Sequence, residues 1–237
     1  MPTALPWRHH LAAALSLALS TAVGTFSLAP AAHADPLLDT GTPGGGMFGY
    51  WGFDVFVGQS VAIAFTPTQD YSFDNLSLWL MSNDFDAPGR TLSISLQTDA
   101  GTGATPQAPS GTVLETWQHA TTAVGWEPVL ETMNSVLHPT LYAGTTYWIV
   151  AESGEAAFVD PVWVVAGNGP SYYVGNIDFA SSSAWQVGLT GAAPGAIINA
   201  TPVPEPETLA LLLLGAPLVL GAARRRTRQA QPSTQAG

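Results

Sequence analysis

The chain has 237 residues and a mass of 24.7 kDa; 46% of residues are apolar, only 10% are charged, and lysine and cysteine are both absent. That length fits one large domain or two small ones, the apolar share suffices for a core, and the lack of cysteine excludes disulfides, thiolate metal sites and cysteine nucleophiles. Six arginines face seventeen carboxylates for a net charge of −11. Only Arg90 lies between Asp35 and Val203, against fifteen of the acids, so binding of nucleic acid, which needs cations against phosphate, is excluded.

Residues 1–34 predict a signal peptide. Arg8, His9 and His10 precede an apolar stretch from Leu11 to about Val23, and Ala32-His33-Ala34 places small residues at the two positions read by signal peptidase. Cleavage is expected before Asp35. Residues 35–47 read as a flexible lead-in: Gly41-Thr-Pro-Gly-Gly-Gly46 is no phosphate cradle, since neither a lysine nor a helix follows it.

From 48 to 200 the pattern is that of strands. Leu76, Leu78 and Leu80 alternate with polar residues and Trp79, and Leu92, Ile94 and Leu96 alternate with Thr and Ser. The turn-rich segment 82–89 joins the two, which predicts that both apolar faces share one core. Further strands are expected at 60–65, 112–118, 129–133, 145–151, 162–166, 171–174, 184–189 and 196–199. Residues 103–111 read as a loop, because Pro106 and Pro109 cannot donate to a ladder. About ten short strands without helical periodicity predict an all-β domain: a jelly-roll-like β-sandwich, with an up-and-down barrel as the alternative.

The body offers little patterned chemistry. His119 and His138 lie in no metal or nucleophile motif, and Gly-x-Ser-x-Gly is absent. Glu115, Glu127, Glu131, Glu152 and Glu155 could supply the carboxylate pair of a glycosidase, but they read first as an acidic solvent face. Asn83, Asp84 and Asp86 put hard oxygen ligands at near-alternate positions of one loop, a pattern that suits calcium, against the plainer reading of an Asp-rich turn. No other cofactor is indicated. Trp79, Trp148 and Trp163 fall within strands and are expected in the interior, whereas Trp51, Trp126 and Trp185 fall near loops, where their faces could stack on sugar rings.

The order Gln59-Ser-Val-Ala-Ile-Ala-Phe65, Tyr71-Ser-Phe-Asp-Asn-Leu-Ser-Leu78, Leu141-Tyr-Ala-Gly-Thr-Thr-Tyr-Trp-Ile-Val150 and a late Trp185 resembles the choice-of-anchor domains, particularly type R, across most of 48–188. The resemblance implies an extracellular β-rich module joined to a surface-anchoring signal. It implies no chemistry.

The C-terminal segment 203–228 carries such a signal. Pro204-Glu205-Pro206 precedes an apolar helix at 208–223, and Arg224, Arg225, Arg226 and Arg228 follow, ahead of a tail at 229–237. The fifteen uncharged residues from Leu209 to Ala223 span roughly 22 Å, short of a ~30 Å hydrocarbon core, and Pro217 interrupts them, so the segment is a marginal transmembrane helix. The arginines act as a stop-transfer cluster that stays cytoplasmic and leaves the body outside the membrane. Motif, helix and basic cluster in this order resemble the PEP-CTERM sorting signal of exported proteins in Gram-negative bacteria that make extracellular polysaccharide. The resemblance implies an exosortase as partner, which would cut near the Pro-Glu-Pro motif of a precursor held transiently in the inner membrane, and a destination in the cell envelope or extracellular matrix. The functional expectation is an exported, non-catalytic surface or matrix protein. A carbohydrate-binding module for the extracellular polysaccharide is the alternative, and a glycan-cleaving enzyme the third reading.

Overall fold

The computed structural model describes residues 36–45, 49–101, 108–166, 173–177, 185–187 and 193–204, with the backbone alone at 173–177 and 187. The signal peptide with Ala32 and Ala34 lies outside the described residues, as do Glu205, Pro206, the apolar helix and Arg224, Arg225, Arg226 and Arg228.

Among the described residues there are strands and no helix. In chain order they are β1 (Leu38–Asp39), β2 (Gly52–Asp54), β3 (Gln59–Phe65), β4 (Tyr71–Ser82), β5 (Thr91–Asp99), β6 (Pro109–Ala120), β7 (Val129–Asn134), β8 (Thr140–Leu141), β9 (Tyr147–Glu152), β10 (Pro161–Ala166), β11 (Tyr173–Ile177), β12 (Gln186–Val187), β13 (Ala193–Pro194) and β14 (Ala196–Pro202). They form two antiparallel sheets. One follows the order β1-β14-β4-β10-β13, with β2 joined to β10 and with β7 and β8 joined to β4; the other follows β12-β11-β3-β9-β5-β6.

The alternating leucines explain how the sheets meet. Leu76, Leu78 and Leu80 of β4 and Leu92, Ile94 and Leu96 of β5 belong to opposite sheets, yet all six are buried in one apolar cluster together with Val61, Ile63, Ile149, Trp163 and Ile198. Each fully buried aliphatic side chain contributes about 1.5–3 kcal/mol. Phe73 joins the same core despite its opposite parity, because the register slips opposite Asn199 and Ala200: Asn75 pairs with Asn199 and Phe73 with Ala200, leaving Asp74 as the extra residue of a bulge.

Strands β3, β9 and β10 read as continuous apolar runs because both of their faces are covered. On the outer side of β3 and β9, Ala62, Ala64, Trp148 and Val150 pack under Trp185; on the outer side of β10, Val162 and Val164 pack with Met81 under Tyr50 and Trp79. Trp148 and Trp163 are fully buried, as their strand positions predict. At Gly195 the chain passes from pairing with β10 to pairing with β4. Its carbonyl accepts the Trp79 N–H at 3.0 Å and the Trp163 indole N–H at 2.9 Å, and its own N–H donates to Val164 at 2.7 Å. A Cβ here would lie 3.0 Å from Trp79 and 3.1 Å from the Val164 oxygen, so any larger residue would push these neighbours back by a few tenths of an ångström.

Two expectations are corrected. Strand β6 begins at Pro109 and not at 112: Pro109 pairs with Asp99 across register shifts in β5, and a proline at the first position of a strand leaves no ladder donor missing. Glu115 and Glu131 do not form a solvent face either; each is only 5% exposed. They lace the edge strands β6 and β7 of the two sheets together. Glu115 accepts from the Ser135 hydroxyl at 2.6 Å and from the Val136 and Leu137 amides at 2.6 and 3.2 Å, while Glu131 accepts from Thr121, from the Thr122 amide and hydroxyl, and binds His119 through its other oxygen. Between them the Trp117 indole donates to the Asn134 carbonyl at 2.9 Å.

Candidate functional site

Four loops converge at one end of the body: 55–58, 83–90, 121–128 and 153–160. Backbone hydrogen bonds join them. Ser82 donates to Gly125, Gly125 to Asp84, Asn83 to Asp160, Val57 to Glu155, and Gly89 to Thr121, all between 2.7 and 2.9 Å. Loops tied by their own backbone in this way hold side chains in place as a sheet would.

The floor of this end is ionic. Asp84 Oδ1 accepts from the amides of Asp86 and Ala87, closing an Asp-rich turn, and its Oδ2 is held by the Arg90 guanidinium, which also reaches Glu155 at 3.3 Å. Glu155 Oε1 accepts from the amide and hydroxyl of Thr91, both at 3.0 Å. The Asp86 amide and then Arg90 hold the Asp84 carboxyl below the usual range; the Thr91 amide does the same for Glu155, and Asp84 raises the Arg90 guanidinium further. The one arginine of the body is thus consumed as an internal clamp.

Beside the clamp lies a second polar group. The Asn83 amide nitrogen donates to Asp54 at 3.1 Å and to Asp160 at 3.3 Å, and its oxygen accepts the Trp126 indole N–H at 2.9 Å. Asp160 is fully buried, and its Oδ2 has no partner among the described residues. Burial, reinforced by the charge of Asp54, pushes its carboxyl up in spite of the bond from Asn83.

The rim is apolar. Phe85 and Trp126 are 63% and 53% exposed and meet edge to face, their centroids 5.4 Å apart. Gly125 sits between them at φ +62°, where a Cβ would lie 2.9 Å from the Phe85 ring. Val57, Val124, Phe158 and Val159 are exposed around the same loops. Phe158 is 87% exposed and adopts φ +72°, a conformation that is a genuine outlier for an aromatic residue and that concentrates where loops are shaped for function.

The residues that the sequence singles out fall partly at this loop end and partly away from it. Trp126 and Asn83 stand at the loop end and touch each other. Trp51, three residues before Asp54, is half exposed and packs edge to face on Phe53, whereas Trp185 is half-buried against the outer face of β3 and β9. Asn83, Asp84 and Asp86 do not converge on one point: both Asp84 oxygens are engaged within the turn and by Arg90. Among the described residues no three acidic or histidine side chains are grouped to hold a metal ion. Asp54 and Asp160 carried no signal in the sequence, since one ends β2 and the other lies in the loop before β10, about a hundred residues apart, and neither stands in a motif.

Compared with known protein families and with curated proteins, the chain shows no match.

Proposed function

We propose that this chain is an exported, non-catalytic surface or extracellular-matrix protein whose body, a jelly-roll-like sandwich of the choice-of-anchor kind, is processed by an exosortase through a C-terminal PEP-CTERM signal. The observation that carries the reading is the junction of body and signal. Strand β14, flanked by β1 and β4, ends at Pro202, and Val203 and Pro204 are exposed, so the first residue of the motif stands at the surface directly after the last strand. Proline on either side of Glu205 favours an extended backbone, the shape a protease cleft reads. Processing of Glu205→Ala in a host containing the exosortase tests this. The expected result is a full-length, membrane-bound precursor; cleavage at the wild-type rate would make the motif a linker.

A second reading, binding of extracellular polysaccharide, is favoured by the exposed Phe85–Trp126 pair beside Asn83 and Asp54. An aromatic face next to carboxylate and amide groups suits the C–H surface and hydroxyls of a sugar. Affinity electrophoresis through the host polysaccharide is expected to retard the wild type and not Trp126→Ala, with Trp185→Ala still retarded. Equal mobility of wild type and Trp126→Ala would refute this reading.

A further inference from the structure

We propose that Asp54, Asn83 and Asp160 form a calcium site at the loop end, distinct from the Asn83, Asp84 and Asp86 set that sequence spacing suggests. Two carboxylates, Asp54 at the end of β2 and Asp160 from the loop before β10, converge there on a single neutral amide nitrogen. One of them, Asp160, is fully buried, and Oδ2 of the same carboxyl group that accepts from Asn83 has no partner among the described residues. Among the described residues no cationic side chain lies within ion-pair distance of either, because Arg90 is committed to Asp84 and Glu155. A buried carboxylate without a cation or a full set of donors is costly, and a body with one arginine against fifteen acids has no other cation to offer.

The ligand chemistry is that of a hard ion. Two carboxylates and a side-chain amide oxygen, completed by water, match the all-oxygen shell of calcium, and loops with irregular geometry suit its tolerant coordination better than the strict octahedron of magnesium. The Asn83 NH2 group now occupies the place of the ion. Binding displaces it, and rotation of the amide brings its oxygen toward the ion and its nitrogen toward the Trp126 indole N–H. Two donors then face each other, so Trp126 must move. Calcium occupancy is therefore coupled to the orientation of the exposed tryptophan.

The test is thermal unfolding and tryptophan emission of the purified full-length chain in detergent, stripped with chelator and titrated with calcium chloride to about 10 mM, a range that covers the affinities of extracellular calcium modules. The melting temperature is expected to rise by roughly 5–10 °C at ~100-fold excess over Kd, with saturation, accompanied by a change in emission that Trp126→Phe removes. Asp160→Asn, which removes an unpaired buried charge and keeps its shape, is expected to fold and to lose the response. If that variant fails to fold, the exposed Asp54→Asn should weaken calcium binding at least tenfold. No shift in the wild type, an undiminished shift in Asp160→Asn or in a folded Asp54→Asn, or an equal shift with magnesium would overturn the proposal. The site does not depend on the glycan reading: Trp126→Ala is expected to lose polysaccharide retention and to keep the calcium-induced rise in melting temperature.

Discussion

Asp160 and Asp84 stand at the same end of the body, and their surroundings drive their carboxyls in opposite directions. Asp84, Glu155 and Glu131 are held below their ordinary values; for Glu131 burial works the other way and is outweighed by His119, Thr121 and Thr122. These groups stay ionised in the folded state where the unfolded chain takes up protons, so the stability they contribute is complete above their unfolded values of 3.8 and 4.5 and drains away as pH falls through the lowered folded values. Asp160 has the reverse sign. Its folded value lies above 3.8, so the stability of its protonated form is lost as pH rises through that raised value. In calcium-free buffer at pH 7, Asp160→Asn is expected to raise stability by about 1–2 kcal/mol in urea titrations, and at pH 3 to change it little; a loss at pH 7 would mean the carboxylate is better satisfied than its geometry indicates. Gly195→Ala should cost about 1–3 kcal/mol by the same measurement, since the added methyl group would press on Trp79 and the Val164 carbonyl and force them to shift. None of these roles was legible in the sequence, where Asp160 is simply an acid before an apolar run and Gly195 one glycine among twenty-four.

The legibility of an element followed the amount of its pattern that survives burial. Strands β4 and β5 bury one face in the shared core, so alternation exposed them, and the prediction that their leucines meet holds across the two sheets. Strands β3, β9 and β10 are covered on both faces and were legible only as short apolar runs between turn residues. Strands β1, β2, β8 and β13, two or three residues long, carry no period at all; they exist because longer neighbours offer an edge to pair with. Tryptophans separate along the same lines. Trp148→Ala is expected to cost about 3–5 kcal/mol, because its ring fills the layer beneath Trp185 and its indole N–H donates to Asp99 at 2.7 Å, whereas Trp51→Ala at an exposed position should stay within about 0.5 kcal/mol. Equal losses in equilibrium unfolding would contradict the assignment of inner and outer rings.

For the molecule as a whole, the fold and the proposed address are written in different parts of the chain. The body is built from tertiary pairing whose loop-end residues only the folded chain brings together, while the signals we propose at either end are local patterns that need no fold to be read. The described body contains strands and no helix, and its acids outnumber its bases so heavily that it should associate near pH ~4, where the carboxylates titrate with almost nothing to oppose them. Export and processing are the central claim. The most direct test is the intact mass of the protein recovered from a host that carries the exosortase. The expected species begins at Asp35 and ends close to Pro204–Pro206, lacking the apolar segment and its arginines; a species retaining Arg224 to Arg228, or residues upstream of Ala31, would contradict export and processing.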